Sequence, residues 1–283
     1  MFGALDVRVD GKSLHLGLSG PTRSLLQYLF CQHDRLTRRE LLMELFWSQT
    51  PIERRRSSLN SAIWRIKKAL KNSPMINIDA TADCVQLTGV SSPLVEIDFI
   101  HLENAVRAIC CASNQQSSEL DALVFALDGC SGTPLDGLDD EWATIERERL
   151  CALRMRGLTR AMHALAAQHR YDEALDMGRR ILVIEPFRES AFQEMLCLHV
   201  LNGQRARALQ LFDEFAAALE GDLGIEPLPE TRALRDYLAS DQCFIHAADQ
   251  AADEAYADSI WQPDVGALLA TIAHTRDVVR SDF

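Results

Sequence analysis

Hydrophobic positions at the start of the chain alternate with polar ones, and a tight-turn dipeptide interrupts the alternation. The alternating positions are Leu5, Val7, Val9, Leu14 and Leu16. Because side chains alternate across a strand and Asp10-Gly11 is typical of a two-residue turn, this pattern predicts a β-hairpin. From Pro21 the leucines take a helical spacing, and proline is typical of a first helical turn. The sequence therefore predicts a helix directly after the hairpin.

Two further helices and a second hairpin complete the first ninety residues. Thr37 and Glu40 have the spacing of a capping box, which predicts that a second helix begins at Thr37. A third helix is predicted over about 53–71, because Pro51 precedes it and Asn72-Ser73-Pro74 ends it. Short alternating runs around Ile78 and Val85 then predict a closing hairpin. The predicted order is strands, three helices and a hairpin.

The predicted third helix has one apolar stripe and one basic, hydroxyl-rich face. At 100° per residue its apolar residues fall within about 60° of one another. They are Leu59, Ile63, Ile66 and Leu70. The opposite face suits the major groove of DNA, where cations meet phosphates and arginine reads base edges. The candidate DNA-binding residues are Arg54, Arg55, Arg56, Ser57, Ser58, Ser61, Trp64, Arg65, Lys67 and Lys68.

The charge of the chain is divided unevenly along its length. Residues 1–90 hold 13 Lys and Arg against 8 Asp and Glu, whereas the remaining residues hold 16 against 33. The net charge of -12 therefore hides a basic N-terminal part joined to a strongly acidic remainder. Such an asymmetry is typical of a nucleic-acid-binding module attached to another domain.

The second half of the chain shows a helical repeat. Helices are predicted over residues 95–109, 120–127 and about 140–168, and a shift of 34 residues then aligns Ala174 with Ala208 and Leu175 with Leu209. Met162 and Leu196 match as apolar positions in the same shift, and the breaks 169–170 and 203–204 also fall in register. A period of about 34 residues is the length of a tetratricopeptide unit, so the sequence predicts helical repeats.

The last forty residues differ in composition from the repeats. Residues 241–258 contain five acidic residues and no Lys or Arg, which predicts a solvated connector. Pro263 then starts an amphipathic pattern whose apolar positions are Val265, Leu268, Leu269, Ile272 and Val279. We expect a final helix there that docks within the chain or against a second subunit.

Composition excludes several classes of protein. With 283 residues, 47% hydrophobic and 25% charged, the chain is a globular protein with room for two domains. It contains no apolar run long enough to span a membrane and no signal peptide, and its eight scattered cysteines are typical of buried thiols in a reducing compartment. The sequence therefore predicts a cytoplasmic protein.

The sequence contains no pattern of catalytic or metal-binding chemistry. The glycine-rich segment 129–132 lacks the ending of a phosphate-binding loop, and the adjacent Cys110 and Cys111 point in different directions on a helix. The eight histidines show no spacing of metal ligands. We therefore predict that the protein is not an enzyme and that it has no catalytic residues, no cofactor and no metal site.

Several motifs resemble one family of bacterial regulators. Residues 1–90 resemble an OmpR-type winged helix as found in SARP-type (antibiotic regulatory protein) regulators, and residues 97–240 resemble the bacterial transcriptional activation domain that follows it. The motifs of the first part are Leu36-Thr37-Arg38-Arg39-Glu40-Leu41-Leu42, Leu45-Phe46-Trp47 and Ile63-Trp64-Arg65-Ile66-Lys67-Lys68. Those of the second part are Glu141-Trp142, Tyr171-Asp172-Glu173-Ala174-Leu175, Glu185-Pro186-Phe187-Arg188-Glu189 and Leu223-Gly224-Ile225-Glu226-Pro227. Residues 241–283 lie outside the resemblance.

The resemblance implies a mainly α-helical protein with an N-terminal winged helix-turn-helix and a tetratricopeptide-like repeat domain. It also implies an activator that binds promoter repeats on double-stranded DNA, usually as a homodimer, and assists RNA polymerase. By position, Arg65 matches a base-reading arginine of the family and Lys67 a phosphate contact. The sequence departs from the family in its acidic wing turn, 79–83, and in Trp64, where relatives often have a small or basic residue.

Two other functions remain open from the sequence alone. The winged helix could bind protein, in which case the exposed face of the third helix would carry apolar residues; Trp64 is the large apolar residue expected there. Alternatively, a DNA-binding regulator could sense a small molecule in the groove of its repeats. The exposed face of the third helix distinguishes DNA binding from protein binding, and the sequence leaves the sensing function open.

Overall fold

A computed structural model of the protein describes residues 2, 8–9, 12–13, 16–33, 35–71, 75–90, 95–111 and 117–240. In its N-terminal part the elements are β1 (Arg8–Val9), β2 (Lys12–Ser13), α1 (Gly20–Cys31), β3 (Thr37–Arg38), α2 (Arg39–Trp47), α3 (Ile52–Leu70), β4 (Asn77–Ala80), β5 (Cys84–Thr88) and β6 (Val95–Glu96). Seven helices follow: α4 (Asp98–Cys111), α5 (Ser117–Gly129), α6 (Glu141–Ala167), α7 (Tyr171–Ile184), α8 (Glu189–Leu201), α9 (Arg205–Leu223) and α10 (Pro229–Ala239). The predicted mainly helical fold is confirmed. The connector and the final helix predicted after residue 240 lie outside the described residues.

The chain divides into two compact units, Met1–Arg154 and Met155–Phe283, which we call the N-terminal and the C-terminal unit. The N-terminal unit contains two three-stranded antiparallel sheets, with strand orders β2-β1-β6 and β3-β5-β4. In the first sheet β1 and β2 pair antiparallel, with Val9 opposite Lys12, in agreement with the predicted hairpin. The second sheet contains the predicted closing hairpin, in which Ile78 pairs with Leu87.

Helix α3 is oriented by its apolar stripe. Leu59, Ile63, Ile66 and Leu70 are all buried, as predicted, and Ala62 is buried beside them. Full burial of such side chains stabilises the fold by about 1.5–3 kcal/mol each, so the stripe fixes which face of α3 points outward. The predicted boundaries of this helix differ from the observed ones by one residue at each end.

The predicted capping box at Thr37 is wrong. Thr37 and Arg38 form strand β3, and Thr37 pairs with Val85 of β5, so α2 begins only at Arg39. No side chain caps this helix; instead the Arg39 N–H donates to the Asp83 carbonyl at 2.8 Å. Strand pairing with a partner almost fifty residues away overrides the local capping signal.

A second correction concerns the segment after the closing hairpin. The sequence predicted one helix over 95–109, but Val95 and Glu96 form strand β6, which pairs with β1, and α4 begins at Asp98. The Phe2 N–H also donates to Asp98 Oδ2 at 2.6 Å. Both interactions are made by the start of the chain, which local spacing around Val95 does not reveal.

Helices α1, α2 and α6 meet in an aromatic cluster within the N-terminal unit. The ring of Tyr28 lies edge-to-face on Phe46 at 5.7 Å and on Trp142 at 5.3 Å, and Phe46 also contacts Trp142 at 6.0 Å. Polar contacts surround the cluster, since Ser24 Oγ donates to Asp140 and Gln32 donates to Glu146. These contacts hold α1 and α2 against the first turns of α6.

Arg39 is a buried cation that connects three elements of the winged helix. Its side chain donates from Nη1 to the Thr81 carbonyl in the turn between β4 and β5, at 3.2 Å, and from Nη2 to Asn60 Oδ1 on α3. Arg39 is only 7% exposed, whereas both of its partners are exposed residues, so the two bonds are partly buried. Arg39 therefore fixes the position of the β4–β5 turn relative to α3.

The C-terminal unit confirms the predicted helical repeats. Helices α7, α8 and α9 follow one another as antiparallel neighbours, and the residues matched by the shift of 34, Ala174 and Ala208, are both fully buried. The aligned breaks also share a conformation, because His169 and Gly203 both have a positive φ. A Cβ on Gly178 would lie 2.6 Å from Met195 Cγ, so this glycine permits the close approach of α7 and α8.

Replacing Arg39 tests its role as the anchor of the turn. Arg39→Met would leave two acceptors without their donor, and we expect a loss of about 1–3 kcal/mol in the free energy of unfolding. Urea denaturation of the full chain measures this loss. Arg38→Met is the matched control, because Arg38 is an exposed neighbour. An equal effect of both substitutions would contradict the anchoring role.

The ion pair between α6 and α8 makes stability depend on pH. His163 Nε2 lies 2.8 Å from Glu194 Oε2, and this hydrogen bond raises the pKa of His163 above its usual value. Its contribution is complete below the unfolded pKa of about 6.5 and is lost as the pH rises through the higher folded value. We therefore expect His163→Gln to lower the melting temperature more at about pH 6 than at about pH 9. Equal losses at both pH values would contradict this assignment.

Candidate nucleic-acid interface

The candidate interface is the outward face of α3. Pro51 precedes this helix in an extended conformation. Lys67 and Lys68 lie in its last turn, where positive charges interact favourably with the helix dipole. Of the ten residues predicted to bind DNA, Arg55 and Ser58 are half-buried. The other eight are exposed: Arg54, Arg56, Ser57, Ser61, Trp64, Arg65, Lys67 and Lys68. The structure thus brings the predicted residues together on one helix, with most of them open to solvent.

The cations on this face have no counter-charges in the described part of the chain. No carboxylate there forms a salt bridge with Arg54, Arg56, Arg65, Lys67 or Lys68. Arg149 of α6 differs, since it pairs with both Glu146 and Glu103. A group of unpaired cations on one helix produces the local positive potential that attracts a polyanion, although the whole chain is acidic.

The three adjacent arginines at the start of α3 are not equivalent. Arg55 donates from Nε to the Thr50 carbonyl at 2.8 Å and from Nη2 to the Ser48 carbonyl at 2.6 Å. It therefore braces the turn between α2 and α3, whereas Arg54 and Arg56 are exposed. Sequence reasoning treated the three alike, because nothing in a run of three arginines shows which one bonds to the backbone.

The serine hydroxyls of this face are already engaged as donors. Ser57 Oγ donates to the Arg54 carbonyl at 2.8 Å, and Ser61 Oγ donates to the Ser57 carbonyl at 2.9 Å. Because a hydroxyl has a single hydrogen, each serine is left with its lone pairs. In this arrangement Ser57 and Ser61 can accept hydrogen bonds from base amino groups.

Trp64 places a large apolar ring among the cations. Its side chain is 62% exposed, and Lys68 Nζ lies 5.3 Å from the ring centroid in a cation–π contact. The contact holds Lys68 beside the ring and one turn along the helix. Ile52, the first residue of α3, is also exposed, at 73%. At 100° per residue Ile52 lies on the side of the buried stripe, so Trp64 is the large apolar residue of the outward face, as the sequence predicted.

The turn between β4 and β5, at the position of the wing, is acidic as the sequence indicated. Asp79 and Asp83 are both exposed. Asp79 accepts hydrogen bonds from Asn77 at 3.2 Å and from Thr88 at 3.4 Å, which fixes its carboxylate on the surface of the hairpin. Two carboxylates at this turn oppose the approach of a phosphate backbone. The basic face of α3 therefore suits a nucleic acid, whereas the acidic turn repels its phosphates.

Arg39 is the residue whose role the sequence did not indicate, and its partner is Asn60, which helical spacing places beside the basic face. An arginine can only donate, so its partner on Asn60 must be the amide oxygen, and the amide nitrogen stays available as a donor. Asn60 is exposed on α3 beside the candidate residues. The sequence did not indicate the role of Arg39, because this residue lies inside the predicted capping box, where strand β3 is observed instead.

The described residues form neither a metal-binding cluster nor a membrane-spanning helix. No group of His, Cys, Asp and Glu side chains there could hold a metal ion, and no helix there is long and apolar enough to cross a lipid bilayer. Cys31, Cys130 and Cys197 are buried thiols that form no disulfide among the described residues. Burial raises the pKa of the Cys31 thiol far above its usual value, so this cysteine is kept protonated and unreactive.

Comparison with known proteins gives the family. Residues 97–238 match the bacterial transcriptional activator domain family. The transcriptional regulatory protein MoaR1 of Mycobacterium tuberculosis is 22% identical over 240 residues, which cover 83% of this chain and 76% of MoaR1. EmbR of the same organism is 23% identical over 86% of this chain and 63% of EmbR. The regulatory protein AfsR of Streptomyces coelicolor is 21% identical over 80% of this chain and only 22% of AfsR.

A solved structure supports the same fold. The structure of Mycobacterium tuberculosis EmbR in complex with a low-affinity phosphopeptide matches with a TM-score of 0.66 and 20% sequence identity, and the match covers 99% of this chain and 69% of EmbR. The relatives are transcriptional regulators, in agreement with the prediction that the protein is not an enzyme. The chain belongs to the bacterial transcriptional activator domain family and is a SARP-type transcriptional regulator.

Proposed function

We propose that the protein is a sequence-specific DNA-binding regulator that activates transcription, with residues 1–90 as the DNA-binding domain and 97–240 as the activation domain. The observation that carries the proposal is the set of exposed, unpaired cations on α3, opposite a fully buried apolar stripe. A helix of this kind fits the major groove, and its length of 19 residues allows its outward face to contact both bases and phosphates.

Within this proposal the residues of α3 have different roles. Arg65 lies near the middle of the exposed face, flanked by Ser61 and Lys68, and is the residue we assign to base reading. Arg54, Arg56 and Lys67 are assigned to phosphates, because exposed cations around a reading residue fix the register on the duplex. Trp64 adds an apolar surface that can contact a thymine methyl group.

The acidic remainder of the chain is assigned to activation. Residues 91–283 carry 16 basic and 33 acidic residues, so phosphate repels this part and it does not add to the DNA contact. Binding to promoter repeats as a homodimer and assistance to RNA polymerase complete the proposal. The resemblance to SARP-type regulators and the names of the relatives support these two points.

Arg65→Ala tests the base-reading role. Loss of a bidentate arginine costs about 1–3 kcal/mol at the base that it reads, so binding to a specific site should weaken by that amount. The site is selected from a random duplex library with the full chain, because β6 and Asp98 complete the contacts of the N-terminal strands. Fluorescence anisotropy then compares selected and random duplexes.

The control for this test is Arg107→Ala, which removes an exposed arginine on α4. It should bind the selected duplex like the wild type. An equal loss for Arg65→Ala on selected and random duplexes would make Arg65 a phosphate contact. If the wild type selects no sequence, DNA recognition by α3 is refuted. Transcription in vitro from a template with the selected site then distinguishes an activator, which raises the transcript level, from a repressor.

The salt dependence of binding separates the three adjacent arginines. Each phosphate contact contributes about 0.9 to the slope of log K against log salt. We expect Arg54→Gln and Arg56→Gln to flatten the slope by about that amount each. Arg55→Gln should leave the slope almost unchanged, because its guanidinium bonds to the carbonyls of Ser48 and Thr50. Identical slopes for all four proteins would contradict the assignment.

A further inference from the structure

Asn60 is an exposed amide near the middle of α3 that has no role in the DNA contact described so far. Helical spacing places it in one row along the helix with Arg56, Trp64 and Lys67, which are all exposed. Along this row a cation assigned to phosphate lies on either side of the amide. Because phosphate contacts fix the register of a helix on the duplex, a polar side chain between them is placed to reach the edges of the bases.

The two ends of the Asn60 amide are in different situations. Arg39 Nη2 donates to Asn60 Oδ1. An arginine has donors only, so the end of the amide that faces it is the oxygen and not the nitrogen. Asn60 Nδ2 makes no hydrogen bond with the part of the chain that the structure describes. The amide therefore has an occupied acceptor and two N–H donors that are available to a partner.

Arg39 can hold this oxygen because it is itself fixed at two other points. Its backbone N–H donates to the Asp83 carbonyl at 2.8 Å, and its Nη1 donates to the Thr81 carbonyl at 3.2 Å. An exposed asparagine ordinarily turns its amide freely, whereas the amide of Asn60 is bonded to a buried and anchored cation. Its orientation is thus set before a ligand arrives, which lowers the entropic cost of a contact.

This orientation limits which base the amide can read. The usual contact of asparagine with adenine is bidentate, because the amide oxygen accepts from N6 while the amide nitrogen donates to N7. In this protein a second donor at Asn60 Oδ1 would be brought against the positive guanidinium of Arg39, which disfavours that contact. Guanine presents two acceptors, N7 and O6, on its major-groove edge. The available N–H donors of Asn60 therefore favour guanine over adenine.

We propose that Asn60 is a second base-reading residue that donates to N7 and O6 of a guanine, and that Arg39 is the positioning residue that disfavours adenine. This inference rests on the proposed function, because it requires α3 to lie in the major groove. Arg65 lies about 140° from Asn60 around the helix, so the two side chains read different base pairs.

The experiment selects duplexes from a random library with the full chain and compares the motifs of the wild type and its variants. Asn60→Asp keeps an acceptor for Arg39 and removes both donors, and Asn60→Ala removes the whole amide. In both variants the preference for guanine at one base pair should fall from about five- to 150-fold to near equality. The base pair that Arg65→Ala relaxes should stay specified in both. The comparison concerns the base at each position, so a uniform loss of affinity from the added carboxylate does not affect it.

Arg39→Met tests the positioning role. It removes the guanidinium from Asn60 Oδ1, so adenine should become acceptable at the base pair read by Asn60 and at no other. A merely structural role of Arg39 would lower stability and weaken binding to every duplex alike. The two Asn60 variants keep the inference testable if Arg39→Met does not fold. Gln210→Ala is the matched control, since it removes an exposed amide on α9, and it should leave the motif unchanged.

Five results would overturn the inference. If the base pair relaxed by the Asn60 variants is A·T, the amide oxygen accepts from a base. An unchanged motif in both variants means that Asn60 reads no base, and an equal loss on selected and random duplexes makes it a phosphate contact. A wild-type motif in folded Arg39→Met removes Arg39 from base selection. The same relaxation in Gln210→Ala means that the effect is not local to α3.

Failure of this inference can be distinguished from failure of the proposed function. A wild-type motif that depends on Arg65 but not on Asn60 refutes the role of Asn60 alone. If the wild type selects no sequence, both the role of Asn60 and DNA recognition by α3 are refuted.

Discussion

Burial of the apolar stripe on α3 is the constraint on which the rest of the N-terminal unit depends. Leu59, Ile63, Ile66 and Leu70 can be removed from water only if α3 lies on α1 and α2. Once this face is fixed, the helical period determines which residues point outward, so Arg54, Arg56 and Arg65 are displayed without a salt bridge to any described residue. The energy that positions the candidate interface therefore comes mainly from leucine and isoleucine.

Most of the fold and the outline of the interface followed from the sequence, because both depend on periodicity. The boundaries of α3, its buried stripe and the aligned breaks at His169 and Gly203 are properties of short segments. The errors have one cause in common. Thr37 became part of a strand because Val85 pairs with it, and Val95 became part of a strand because Val9 pairs with it. A local signal cannot reveal a distant strand that competes for the same backbone groups.

The interface could be predicted as a set of residues but not as a set of roles. Spacing shows that Arg54, Arg55 and Arg56 stand at the start of one helix, and it does not show that Arg55 bonds to two carbonyls of the preceding turn. Similarly, the buried Arg39 was hidden among neighbouring exposed residues, although it connects the β4–β5 turn to Asn60. Roles of this kind depend on where the carbonyls and amides of other elements lie, which only the folded chain determines.

Strand β6 has a consequence for how such regulators can be recombined. This strand follows the closing hairpin in the chain, yet it pairs with β1 near the N-terminus. Asp98, two residues after β6, accepts a hydrogen bond from the Phe2 N–H. An exchange of DNA-binding modules between relatives at the linker 91–94 would split this sheet between two parents. A crossover that preserves the sheet and the aromatic contacts of Trp142 has to carry the chain through Arg154, the end of the N-terminal unit. The unit that such an exchange has to preserve is thus larger than the part that we propose to contact DNA.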